Sequence, residues 1–239
     1  MSTNPAQLRR TGCRAGAQTL THIGPLADVL TVLDFGRPAR RHYVFGTMLF
    51  GTGGYRSTKA IARGVEGYEA GYVTCVRSSR SHLELAIGTS NFGQQVTPGH
   101  GLAWAAMVNE VAAWTQANGL GDRINVDGAS DIELAWSGPG RARRWVNAYS
   151  SLAEHPYFDY GDAASCPPFG NCLGRWRQED VWYVAFGARD AIPLPEIRRP
   201  CRGMNNTPRQ AWEILGRALH SDRRTTQLPR WSTDVRWAA

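Results

Sequence analysis

The residues best suited to chemistry lie in the stretch 124–136, where Asn125, Asp127, Asp131 and Glu133 alternate with Val126, Ile132 and Leu134. Neighbouring side chains of a strand point to opposite sides, so this spacing predicts one strand with carboxylates on one face and aliphatic groups on the other. Carboxylates two residues apart on a strand stand about 6–7 Å apart at their α-carbons, a span over which an acid and a carboxylate can flank one bond. In that arrangement Glu133, set among Leu134 and Trp136, is the expected proton donor. Asp131 is then the ionised partner, placed to stabilise positive charge that develops at a reacting atom. Asp34 is a further candidate at a strand end, and Asn91, Asp127, Trp136, Asp162 and Glu196 are the expected substrate-binding residues. The competing use of these acids is structural, because carboxylates at strand ends also cap helices or pair with arginines such as Arg141, Arg143 and Arg144.

Those residues need elements to position them. Residues 29–36 read as a buried strand ending at Asp34, 43–50 as a second, and 82–91 as an apolar strand turning polar at Ser90 and Asn91. A short helix carrying Ile61, Val65 and Tyr68 follows the glycines at 51–54, which lack the Gly-Lys-Ser/Thr ending of a phosphate loop. Thr97-Pro98 opens a helix with Trp104, Met107, Val108 and Val111 on its apolar positions, closed by Asn118-Gly119. Ser137 and Pro139 start another, with Trp145, Tyr149 and Leu152 on one side. Residues 157–162, 180–187 and 191–197 read as further strands, and Thr207 to Gln210 as the capping box of a last helix bearing Trp212, Leu215 and Leu219. Alternating strands and helices predict an α/β fold with a mainly parallel sheet. No Gly-rich dinucleotide turn follows the first strand, whereas polar residues gather at strand C-termini, the edge where barrels build their sites. The expected architecture is therefore a β/α barrel of TIM type, irregular or incomplete. It spans 25–220, between a flexible, polar N-terminal tail at 1–24 and a C-terminal tail at 221–239.

Composition narrows the functions. With 42% hydrophobic and 20% charged residues, the 239-residue chain is an ordinary globular one with no run of about 18 apolar residues, so neither disorder nor a transmembrane span is expected. Arg9, Arg10 and Arg14 are not followed by the apolar stretch of a signal peptide, so none is expected within this chain. The net charge of +7 rests almost wholly on arginines, Lys59 being the sole lysine, and the basic groups 141–144 and 198–202 are short and lack interleaved aromatics. No nucleic-acid partner is expected. Cys166 and Cys172 flank a turn-rich loop and are expected to form a disulfide, while Cys13, Cys75 and Cys201 are expected as free, buried thiols. No histidine stands at ligand spacing beside the cysteine pair, so neither a metal nor a cofactor is expected.

The segments around Leu33-Asp34-Phe35-Gly36, Gly88 to Asn91, Ala129 to Trp136, Asp159 to Ala163 and Leu194 to Ile197 resemble those of a group of bacterial, largely actinobacterial, glycoside-hydrolase-like barrel proteins. They are also distantly similar to the family 25 glycoside hydrolases, the barrel lysozymes. That resemblance implies a TIM-type barrel acting on a bacterial cell-wall polysaccharide or related peptidoglycan-like substrate, with Asp34 as the first acid and Asp131 and Glu133 as the Asp-x-Glu pair. The alternative from another class is a barrel without turnover that holds a saccharide through the same acids together with Trp104, Trp136, Trp176 and Trp182.

Overall fold

In the computed structural model, which describes residues 1–24, 26–36, 41–44, 47–50, 56–76, 80–92, 96–163, 166–167 and 171–194, the expected N-terminal tail contains helix α1 (Pro5–Gln18). Asn4 caps it by accepting a hydrogen bond from the Gln7 N–H, and Pro5 fits the first helical turn, where its missing N–H costs nothing. The face that α1 buries consists of Leu8, Gly12 and Gly16. A face made of two glycines and one leucine leaves no hydrophobic periodicity, which is why the segment read as a tail.

After α1 come strand β1 (Asp28–Asp34), the hairpin β2 (Arg41–Val44) and β3 (Thr47–Phe50), and helix α2 (Thr58–Val76). The expected single strand over 43–50 is thus part of an antiparallel hairpin, and the expected short helix is 19 residues long. The two helices run in the same direction. Arg9 lies against Gly71, Gly12 against Tyr68, and Gly16 against Tyr72 and Val76. A β-carbon at Gly71 would sit 2.0 Å from the Arg9 carbonyl oxygen and one at Gly12 2.0 Å from that of Tyr68, so only hydrogen lets the backbones come this close. A disulfide between Cys13 and Cys75, with α-carbons 4.9 Å apart, clips the pair together. This corrects the expectation of free thiols at those positions. Spacing along the chain, 62 residues here, carries no sign of such a contact. The expected Cys166–Cys172 bond is present, with α-carbons 4.0 Å apart.

Strands β4 (His82–Ser90), β5 (Ile124–Asp131), β6 (Tyr157–Asp159) and β7 (Ala191–Pro193) complete one parallel sheet of order β1-β4-β5-β6-β7, interleaved with α3 (Pro98–Ala117), α4 (Pro139–Leu152) and α5 (Gln178–Trp182). The fold is α/β, with a five-stranded parallel sheet alternating with helices. Leu33, Leu83, Leu85, Ile87, Ile124 and Val126 pack with the helices in the main core. The opposite face carries a smaller cluster of Val32, Ala86, Ala129, Phe158 and Tyr160. Among the described residues β1 and β7 each pair on one side only.

The segment 180–187 corrects a period misread: it is α5 followed by a turn of π-helix, Tyr183–Gly187. Val181, Val184, Ala185 and Ala188 are buried at positions one and two helical turns share, and the Asp180 carboxylate accepts from the Arg177 N–H at the helix start. The expected strand at 191–197 is β7 over its first three residues. The last expected helix, Cys201 and the C-terminal tail lie outside the described residues.

Candidate functional site at the C-terminal sheet edge

β5 ends at Asp131, and Ile132 and Glu133 lie past the strand, ahead of the turn at 134–136, so Asp131 and Glu133 do not share a strand face as expected. The alternation does hold along β5 itself. Gly128 faces the helices against the Tyr149 ring, while Asp127 and Ala129 point to the other face. Asp131, 1% exposed, closes that row, with Ser90 its register neighbour on β4. Asp34 ends β1, on the other side of β4, so two strand spacings, roughly 10 Å, separate β1 from β5.

The loops above this edge are held by named hydrogen bonds. The Asp34 carboxylate accepts from the Gly36 N–H at 2.8 Å, and the Ser90 hydroxyl donates to the Gly36 carbonyl at 2.8 Å. A β-carbon on Gly36 would meet the Ser90 nitrogen at 2.3 Å, so the loop after β1 can lie flat on β4 only as glycine. The N-terminal ammonium of Met1 donates to the Asp34 carbonyl at 2.8 Å.

Glu133 is half-buried in the segment beyond β5, and its backbone is gripped by Asn91. The Asn91 amide donates to the Glu133 carbonyl at 2.8 Å and accepts from the Glu133 N–H at 3.0 Å. It also donates to the Ser137 hydroxyl at 3.1 Å. Asn91, expected as a substrate contact, is fully buried and holds the backbone of the segment after β5. Trp176 braces the same segment from below, its indole N–H donating to the Ser137 carbonyl at 2.9 Å.

A second support escaped sequence reading. Asp159, at the end of β6, is buried and accepts from the Gly161 N–H at 3.2 Å and from the Ile132 N–H. Burial pushes its carboxyl up to about 7, and the two N–H donors pull the other way. Its position at a strand end before Tyr160-Gly161 is the sequence signal for it, one that Asp162 three residues on shares. Asp162 itself is half-buried just beyond β6. Tyr160 crosses the sheet face opposite the helices and donates to the Thr89 carbonyl at 2.9 Å, lying over Gly88, whose missing side chain makes the room.

Trp136 is half-buried and meets Phe92 edge-on, with ring centroids 5.4 Å apart. Trp104 is core: 3% exposed, it donates to the Ile87 carbonyl. Asp34, Asp131, Glu133, Trp136 and Asp162 therefore lie at or just past the C-terminal strand ends. Asp127 does not join them. Four residues upstream on β5, it is hydrogen-bonded to Glu84, and burial together with that neighbour holds its carboxyl well above the usual carboxylate range. The pair borders a separate cavity of about 410 Å³ with Asn125, His155, Phe158 and Ile192. Glu196 lies outside the described residues.

No family model, no curated protein and no solved structure matches the chain. Among the described residues no group of three or more His, Cys, Asp or Glu side chains is placed to hold a metal ion, and no helix is long and apolar enough to cross a membrane.

Proposed function

We propose that this chain is a glycoside-hydrolase-like β/α barrel acting on a bacterial cell-wall or related polysaccharide, with Glu133 as proton donor and Asp131 and Asp34 as charge-stabilising carboxylates. The observation that carries the reading is the grip of buried Asn91 on both backbone groups of Glu133, which holds one half-buried carboxylate beside the end of the strand bearing Asp131. Carboxylates held by a rigid supporting layer at the C-terminal ends of parallel strands are what general acid catalysis on a glycosidic bond requires. The barrel assignment draws on strands that follow one another across the sheet in chain order, with the described helices packed on one face and a small, partly aromatic cluster on the other. Half-buried Trp136 beside the rim supplies a face for a sugar ring. Two disulfides suit a protein that works in oxidising surroundings, where wall polymers are found.

The test is a screen of the full chain on peptidoglycan and chitin-type oligosaccharides from acidic to neutral pH, with Glu133→Gln beside it. Gln keeps the shape but not the acidity, so turnover should drop by about 10²- to 10⁴-fold while the unfolding midpoint stays. Saccharide binding without turnover in the wild type would replace the enzyme by the binding barrel. Absence of both would end the saccharide reading.

A further inference from the structure

Outside the rim, a groove of about 810 Å³ runs between α1 and α2 and is lined by Arg9, Arg10 and Arg14 together with Gln7, Thr74 and the Cys13–Cys75 disulfide. All three arginines are exposed. Arg14 donates to the Thr11 hydroxyl at 3.5 Å, and among the described residues none of the three forms an ion pair. α1 contains no acidic residue that could offset them, and Arg10 and Arg14 stand four apart, a like-charge spacing that disfavours a helix. Three guanidinium groups are thus gathered on one groove at the expense of the helix that carries them. No described lining residue is acidic or aromatic. The groove floor is rigid, because the glycine contacts and the disulfide fix α1 to α2 with no slack for the walls to close.

We propose that this groove binds a linear oxyanion polymer, a chain of phosphate or carboxylate groups laid along the arginine row. Arginine forks pair bidentately with either oxyanion, and a groove of this volume takes several repeat units where a single anion would leave it largely empty. A chain enters a groove between two helices, whereas a vesicle surface needs a flat or protruding basic face. Nucleic acid is disfavoured because single strands are held by stacking on aromatic side chains, which the described lining lacks. The inference stands apart from the rim carboxylates and from any activity there.

The experiment measures binding of inorganic polyphosphate and of polygalacturonate to the full chain by titration calorimetry at several salt concentrations. Two variants accompany it: Arg9→Gln/Arg10→Gln/Arg14→Gln, and, as a charge control, Arg141→Gln/Arg144→Gln on α4. Glutamine keeps helix propensity, so circular dichroism should show both variants folded. The expected result is salt-sensitive binding that the triple variant weakens by about tenfold or more, with a shallower salt slope, and that the α4 variant leaves nearly unchanged. Preference for one polymer assigns the oxyanion as phosphate or carboxylate. Binding of neither polymer, equal loss in both variants, or tighter binding of a DNA oligonucleotide or of anionic vesicles at matched charge would overturn the proposal.

Discussion

Buried Asn91 holds the segment that carries Glu133. Its place at a polar strand end marks it as a substrate contact, and the fold buries it fully with both amide atoms on the Glu133 backbone. Its amide has the one donor and one acceptor needed to bridge the N–H and C=O of a residue on another loop, as a short sheet would. Asn91→Leu should therefore leave two backbone groups near Glu133 unmatched and cost about 2–4 kcal/mol in urea unfolding. A loss under about 0.5 kcal/mol would mean that Trp176 and Asp159 suffice to hold the turn. Glu69 of α2 makes the same point with a charge. It is fully buried, and its Oε2 lies 2.7 Å from the Thr115 hydroxyl, which is also 2.9 Å from the Val111 carbonyl. One hydroxyl hydrogen cannot serve two acceptors. A protonated Glu69 resolves this by donating to Thr115 Oγ1, whose own hydrogen goes to Val111. Burial pushing the Glu69 carboxyl up to about 8 agrees with that arrangement. From the sequence, an acid in a helix reads as solvated, and only packing against α3 shows it buried beside Thr115.

At the scale of elements, the α1–α2 pair is the part of the fold least visible in the chain. Its cohesion comes from close backbone approach and one covalent bond, neither of which leaves a hydrophobic period. Gly71→Ala should force the helices apart, since its methyl would sit 2.0 Å from the Arg9 carbonyl oxygen. Overpacking of this kind costs about 1–3 kcal/mol, and thermal unfolding should show it as a drop in Tm of several degrees. The Cys13–Cys75 bond closes a separation of 62 residues, for which chain entropy gives about 4 kcal/mol, against about 2 kcal/mol for the separation of 6 between Cys166 and Cys172. Cys13→Ser/Cys75→Ser should accordingly lower Tm more than Cys166→Ser/Cys172→Ser, and a reducing agent should reproduce most of the loss. The reverse order would place the main restraint in the 166–172 loop. Helices α3 and α4 were legible because their apolar residues recur at helical spacing behind Thr97-Pro98 and Pro139. The segment 180–187 misled because a run of Val, Trp, Tyr and Phe suits a strand by composition, while the Asp180 cap and burial every three to four residues made it helical.

For the whole molecule, several buried acids bias stability in one direction. Glu69 and Asp159 bind protons more tightly folded than unfolded, with folded values of about 8 and 7, and Asp127 shifts the same way. For an acid whose folded pKa is raised, the contribution is fully present below the unfolded pKa and is lost as pH rises through the folded one. Unfolding free energy should therefore fall between about pH 4.5 and 8, and Glu69→Gln should remove on the order of 2–4 kcal/mol of that fall. Urea curves at pH 5, 7 and 9 would check it, and parallel pH profiles for wild type and variant would show Glu69 to be ionised in the native state. The alternation of apolar strands with amphipathic helices was enough by itself to determine an α/β fold with a parallel sheet, because burial of one helix face and of two sheet faces imposes different periods on the chain. The turn residues between Cys166 and Cys172 were likewise enough to bring those two cysteines together. Tertiary structure alone decided which acids meet. Asp127 joined Glu84 far from Asp131, Asp159 took the backbone beside Glu133, and α1 left the tail to seal α2. Each of these depends on register between strands or on contact between residues distant in the chain, and local periodicity holds no information about either.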